Sequence, residues 1–66
     1  MPSTVIRAFD YDKADRRLDV QFVSGRRYVY HNVSVEVAEA FRGAFSKGGF
    51  FNAHIRGNYR FTRRRE

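Results

Sequence analysis

Eleven of the thirteen cations in this 66-residue chain are arginines, and five of them (Arg56, Arg60, Arg63, Arg64 and Arg65) fall in its last eleven residues. A guanidinium is a planar fork that matches phosphate oxygens and stacks on bases, so the chemistry these residues could do is phosphate contact. With only Glu66 to offset them, residues 56–66 carry a net +4, and the first 55 residues supply just +2 of the total +6. Basicity is therefore a C-terminal feature rather than a property of the whole surface, and a solvated, fraying terminus would account for it equally well. Lys47 stands in Ser46-Lys47-Gly48-Gly49, a helix start whose small residues and backbone N–H groups could hold a phosphate. That stretch is far shorter than a P-loop, and a tight helix–helix corner needing glycine clearance explains it too. Tyr28 and Tyr30 are the candidates for base stacking.

Other chemistry finds little support. His31 and His54 are the only histidines, and neither has a second ligand at metal spacing. Asp10, Asp12, Asp15 and Asp19 lack the regular spacing of a calcium loop and read as turn residues or ion-pair partners for Arg16 and Arg17. Without cysteine there is no thiolate site and no disulfide. No serine-centred elbow, acid pair or cofactor fingerprint occurs, so the expectation is a non-enzyme with no metal, cofactor or small-molecule substrate. No apolar run approaches the roughly 20 residues of a membrane span, and Met1-Pro2-Ser3-Thr4 lacks a signal-peptide pattern. A bacterial-type cytoplasmic protein is expected.

The elements that must position these residues are few. Sixty-six residues make one domain with a thin core, worth roughly 3–5 kcal/mol net unless supplemented. Seven Phe and four Tyr compensate with large buried areas, and the expectation for every Phe is the core. Val5–Tyr11 is a β-rich run ending in the polar cluster Asp12-Lys13-Ala14-Asp15. Leu18-Asp19-Val20-Gln21-Phe22 alternates as a half-buried strand does, and Arg27–His31 is a third. From Ser34, a plausible N-cap with Glu36 in the following turn, the period changes. Val37, Ala40, Phe41 and Ala44 recur at helical spacing, and Gly43 weakens the helix end. A second helix starts at Ser46, carries Phe51, Ile55 and Tyr59 on its apolar stripe, and ends near Gly57, with Arg56 at its negative end. The expected fold is α+β: a three-stranded antiparallel meander followed by two short helices packed on one face (βββαα). Residues 1–60 form the domain and 61–66 a mobile basic arm.

One hairpin decides where the tyrosines go. A two-residue loop at Ser24-Gly25 would set Tyr28 against Gln21 and Tyr30 against Asp19, leaving both tyrosines as an exposed stacking platform. A three-residue loop, Val23-Ser24-Gly25, would set Tyr28 against Val20 and Tyr30 against Leu18, in the core. Glycine as third loop residue suits a type I turn plus bulge, and tyrosine packs better with leucine and valine, so the core register is favoured.

In order and spacing the chain resembles the KTSC family, a small domain found at the C-terminus of some lysyl-tRNA synthetases and as a stand-alone bacterial protein. The resemblance rests on Ile6, Tyr11-Asp12, Leu18-x-Val20-x-Phe22, Gly25, Tyr28-Val29-Tyr30, Val33, Ser46-Lys47-Gly48, Phe51-Asn52, Ile55-Arg56 and Tyr59, spanning roughly residues 3–60. The departures are Ser34, where the family often has proline, and Ala38, where an aromatic is common. The resemblance implies no catalytic residue, and it suggests RNA binding through the attachment to a synthetase. The leading expectation is thus a nucleic-acid-binding accessory domain, RNA favoured. Arg56, Arg60, Arg63, Arg64, Arg65 and Lys47 would contact phosphate, and Tyr28 and Tyr30 would stack only in the two-residue-loop register. The alternative is a protein-interaction or homodimer module that buries an apolar patch built from Val23 and Val29 on a sheet with open edges.

Overall fold

A computed structural model describes residues 6–64. Strands β1 (Ile6–Asp12), β2 (Arg17–Phe22) and β3 (Arg27–Tyr30) lead to helix α1 (Val35–Arg42) and helix α2 (Lys47–Phe50). Helix α2 runs on into a π-helical turn, Phe51–Ile55, and strand β4 (Phe61–Arg64) closes the chain. The sheet is antiparallel in the order β1-β2-β3-β4. The expected three-stranded meander is therefore corrected to four strands, and residues 61–64, expected in an arm outside the domain, pair with β3. Arg65 lies outside the described residues.

Local chemistry sets the turns. Asp12 Oδ1 accepts from the backbone N–H groups of Ala14 (3.1 Å) and Asp15 (3.2 Å), folding the β1–β2 turn on a side-chain acceptor. Between β2 and β3, Phe22 N–H donates to Arg26 O and Gly25 N–H to Phe22 O, both at 2.9 Å. This is the three-residue loop, with Gly25 at φ +96°, which glycine adopts without a Cβ penalty. Leu18 accordingly faces Tyr30 and Val20 faces Tyr28. The two-residue-loop register, which would have exposed both tyrosines together, is not adopted.

Ser34 caps α1 by accepting from Val37 N–H at 3.2 Å. The buried stripe of α1 is Ala38 and Phe41, whereas Ala40, expected on it, is exposed. Ser46 caps α2 by accepting from Gly49 N–H at 3.0 Å. Arg56 N–H reaches back to Phe51 O at 2.8 Å to close the π turn, and Gly57 follows at φ +82°. Tyr59 falls beyond the helix but still packs against the core.

Leu18, Val20, Tyr30, Val33, Phe41, Phe51 and Ile55 form the core, with the helical layer on the Leu18/Val20 face of the sheet. Phe9 meets Phe41 edge-on at 4.6 Å between ring centroids, and Phe51 meets Phe22 (5.3 Å) and Tyr30 (5.5 Å). Tyr11 OH donates to Val33 O at 2.6 Å, tying β1 to the segment that leads into α1. Among the described residues no helix is long and apolar enough to cross a membrane.

Candidate nucleic-acid interface

The helices stop short of β4, and what they leave open is a groove of about 420 Å³ on their own side of the sheet. Its aromatic lining comes from Phe22 of β2, Tyr28 and Tyr30 of β3, Phe51 of the π turn and Phe61 of β4. These rings form one continuous cluster. Phe61 lies 5.1 Å from Tyr28 and 5.6 Å from Tyr30, and Phe22 lies 5.5 Å from Tyr28, between centroids. Tyr30 is buried at its base, Tyr28 is half-buried, and Phe61 remains 55% exposed. Burial pushes the Tyr30 phenol up to about 12, and the neighbouring Tyr28 adds to this while Arg56 acts in the other direction. Tyr30 is therefore a neutral hydrogen-bond donor at ordinary pH and supplies no base.

The rim is cationic. Arg26 and Arg56 line the groove, and among the described residues no carboxylate does. Arg63 pairs with Tyr28 across β3 and β4 and so projects from the same face. Of the arginines expected to contact phosphate, the fold thus brings Arg56 and Arg63 to this face. Arg64 goes to the other one, where its Nη1 meets Asp19 Oδ2 at 3.1 Å. Arg60 is exposed in the segment leading into β4, where its carbonyl accepts from His31 N–H at 2.9 Å. Lys47 does not line the groove; its Nζ donates to Ala44 O at 3.0 Å, at the α1–α2 corner. Ser46 Oγ accepts from Gly49 N–H, so one N–H of that helix start is already capped by its own serine.

Arg26 was not anticipated as a site residue, although the signal was present. Once the three-residue loop is chosen, positions 26, 28 and 30 share a face, which puts Arg26 beside Tyr28.

The opposite face of the sheet carries a mixed-charge depression of about 550 Å³, lined by Asp10, Asp12, Arg17, Asp19, Val29, His31, Thr62 and Arg64. Asp19 accepts from both Arg27 (2.9 Å) and Arg64 (3.1 Å), which relieves the like-charge pairing of those arginines across β3 and β4. Arg17 bonds Asp15 at 2.7 Å, and a His31–Thr62 hydrogen bond of 2.8 Å adds a side-chain link between β3's end and β4. No cluster of three metal-ligating side chains exists among the described residues. Val23 and Val29, expected to share an apolar patch, line depressions on opposite faces.

Comparison with known proteins agrees with this architecture. The KTSC domain model matches residues 2–59. The chain belongs to the KTSC family. A crystal structure of a KTSC domain protein from Yersinia pestis superposes with a TM-score of 0.89 at 32% identity, covering 98% of this chain and 92% of that one. A protein from Tsukamurella paurometabola is 34% identical over 58 residues, covering 88% of this chain and 87% of its own length. A lysine–tRNA ligase from Nostoc punctiforme is 38% identical over 58 residues, which is 88% of this chain but 10% of the ligase. This KTSC chain thus corresponds to a small part of such a ligase.

Proposed function

We propose that this KTSC domain is a non-catalytic RNA-binding module that grips the phosphate backbone with arginines gathered around the aromatic groove. The observation that carries the reading is the groove's rim: Arg26 and Arg56 line it with no carboxylate among the described lining residues, and Arg63 projects from the same face. Phosphate contacts of this kind position a nucleic acid without reading its sequence, so weak sequence preference is expected. The likeness to part of a lysine–tRNA ligase, a protein whose name places it on tRNA, supports RNA over DNA.

Fluorescence anisotropy with labelled tRNA, single-stranded RNA and duplex DNA across a salt series tests the proposal. Affinity should fall as salt rises, and changing Arg26, Arg56 and Arg63 to Gln should flatten the log–log slope by about 0.7 per arginine on a single strand. Arg17→Gln, on the opposite face, should leave the slope unchanged. A chain that binds no RNA at low salt, where counterion release is strongest, contradicts the proposal.

One observation favours a protein-interaction or homodimer module as a second reading. Strand β4 sits at the edge of the sheet with every one of its residues exposed, and an edge strand can accept a further strand. Sedimentation at high protein concentration tests it, and a strict monomer without a protein partner argues against it.

A further inference from the structure

We propose that the groove between β4 and the π turn is a stacking site for an unpaired base, seated on Phe61 and Tyr28 with its flanking phosphates on Arg56 and Arg26. The inference rests on the RNA reading above and adds to it the class of RNA, single-stranded, and the part of the nucleotide that is held.

Phe61 carries the argument. A phenylalanine at 55% exposure on a strand keeps more than half of its area in water and so gains less for folding than a buried one. It is held in place all the same. Its strand pairs with β3, and its ring lies 5.1 Å from Tyr28 with a 32° tilt and 5.6 Å from Tyr30 with a 42° tilt. Tyr28 and Phe61 thus offer two ring surfaces from adjacent strands, supported from below by buried Tyr30 and Phe51. Aromatic rings presented from a sheet are the usual platform for unstacked bases, because every base has a π-face. The groove volume of about 420 Å³ falls in the range of roughly 300–1,000 Å³ typical of small-ligand sites.

The polar lining fits the same ligand. Arg26 stands at the hairpin end and Arg56 just past the π turn, so the rings have cations on two sides and, among the described residues, no carboxylate against them. Asn52 and Ser24 add neutral donors and acceptors for a base edge. Gly57 lets the backbone approach without a side chain: a Cβ there would meet nothing within 4 Å, and φ +82° keeps the position favourable to glycine. A duplex cannot use this site, because its base faces are covered by their neighbours in the stack.

The test uses the full chain and a short single-stranded RNA carrying 2-aminopurine at one central position. Its emission should be quenched when wild-type protein saturates the strand, because stacking on an aromatic ring quenches it as stacking on a base does. A blunt duplex of the same sequence should bind at least tenfold more weakly. Phe61→Leu keeps an apolar side chain on β4 while removing the π-face. It should abolish the quenching and weaken binding by about tenfold, within the range that base–aromatic stacking supplies. The wild-type quenching and the strand-to-duplex ratio are read without the variant, so a loosened β4 in Phe61→Leu cannot mask the answer. Salt-dependent binding that leaves the probe unquenched and treats strand and duplex alike overturns the stacking site while leaving phosphate binding intact. Absence of binding to every RNA at low salt overturns both.

Discussion

The two faces of this sheet carry arginines in opposite circumstances. On the open face Arg17, Arg27 and Arg64 each meet a carboxylate, with Asp15 or Asp19 between 2.7 and 3.1 Å away. On the helical face Arg26 and Arg56 border rings instead. Where the aspartates are, a guanidinium's charge is answered within the fold and contributes to holding strands together. Where the rings are, no carboxylate among the described lining residues answers the charge. A count of arginines along the sequence cannot separate these cases. Arg63 and Arg64 are neighbours in the chain, yet the pleat sends one to each face.

The contrast can be broken most forcefully from beneath the groove. Phe51→Ala removes a ring that packs on Phe22 and Tyr30 and should cost about 3–5 kcal/mol in a denaturant melt, enough to threaten folding of so small a domain. The opposite face offers no single side chain of comparable weight. High pH should come next. The Tyr30 hydroxyl is held up to about 12 against an ordinary value near 10, so folding favours its protonated form. The resulting stability is fully present below pH 10 and lost as pH climbs towards 12, amounting to about 2–3 kcal/mol. Thermal melts at pH 9 and near pH 12, compared with the same pair for Tyr30→Phe, isolate that loss; identical pH slopes in the two proteins would refute it. The smallest effect sharpens the contrast by erasing it. Asp19→Asn removes the carboxylate between Arg27 and Arg64 and should cost only about 1 kcal/mol, since these groups are partly exposed. The same change should leave low-salt RNA binding and its salt dependence unaltered, as Arg17→Gln does, because Asp19 lies on the face away from the groove. Stronger binding with a steeper slope would show that the open face also meets the ligand.

Much of this arrangement was legible in the sequence. Gly25 and the alternation Leu18-x-Val20 together pointed to the register that buries Tyr30, and Ser34 and Ser46 marked the helix starts at which they act as caps. The fourth strand was not legible. All four of its side chains are exposed, so it has no buried-face alternation to betray it. What places it is backbone pairing with β3, together with the His31–Thr62, Arg64–Asp19 and Phe61–Tyr28 contacts that exist only once the pairing has formed. The groove followed the same fate. Assigning the tyrosines to the core suggested that no aromatic platform remained, yet Tyr28 is only half-buried because the helical layer ends before β4. Ala38 replaced Ala40 on the buried side of α1 because alanine on its own barely weights a helical stripe either way. For Lys47, sequence could identify a helix start but not that Lys47 Nζ would donate to Ala44 O and Gly49 N–H to Ser46 Oγ.

The exposure of every β4 side chain has a consequence for motion. A strand that buries none of its own residues is held mostly by its ladder to β3, so it should open at a lower free energy than the β1–β3 meander, whose Leu18 and Val20 are fully enclosed. Amide protons of β4 would then exchange with solvent first. Because Phe61 rides on that strand, any partner that settles on its ring also pins the ladder, and the slowing of exchange in β4 becomes a direct gauge of occupancy.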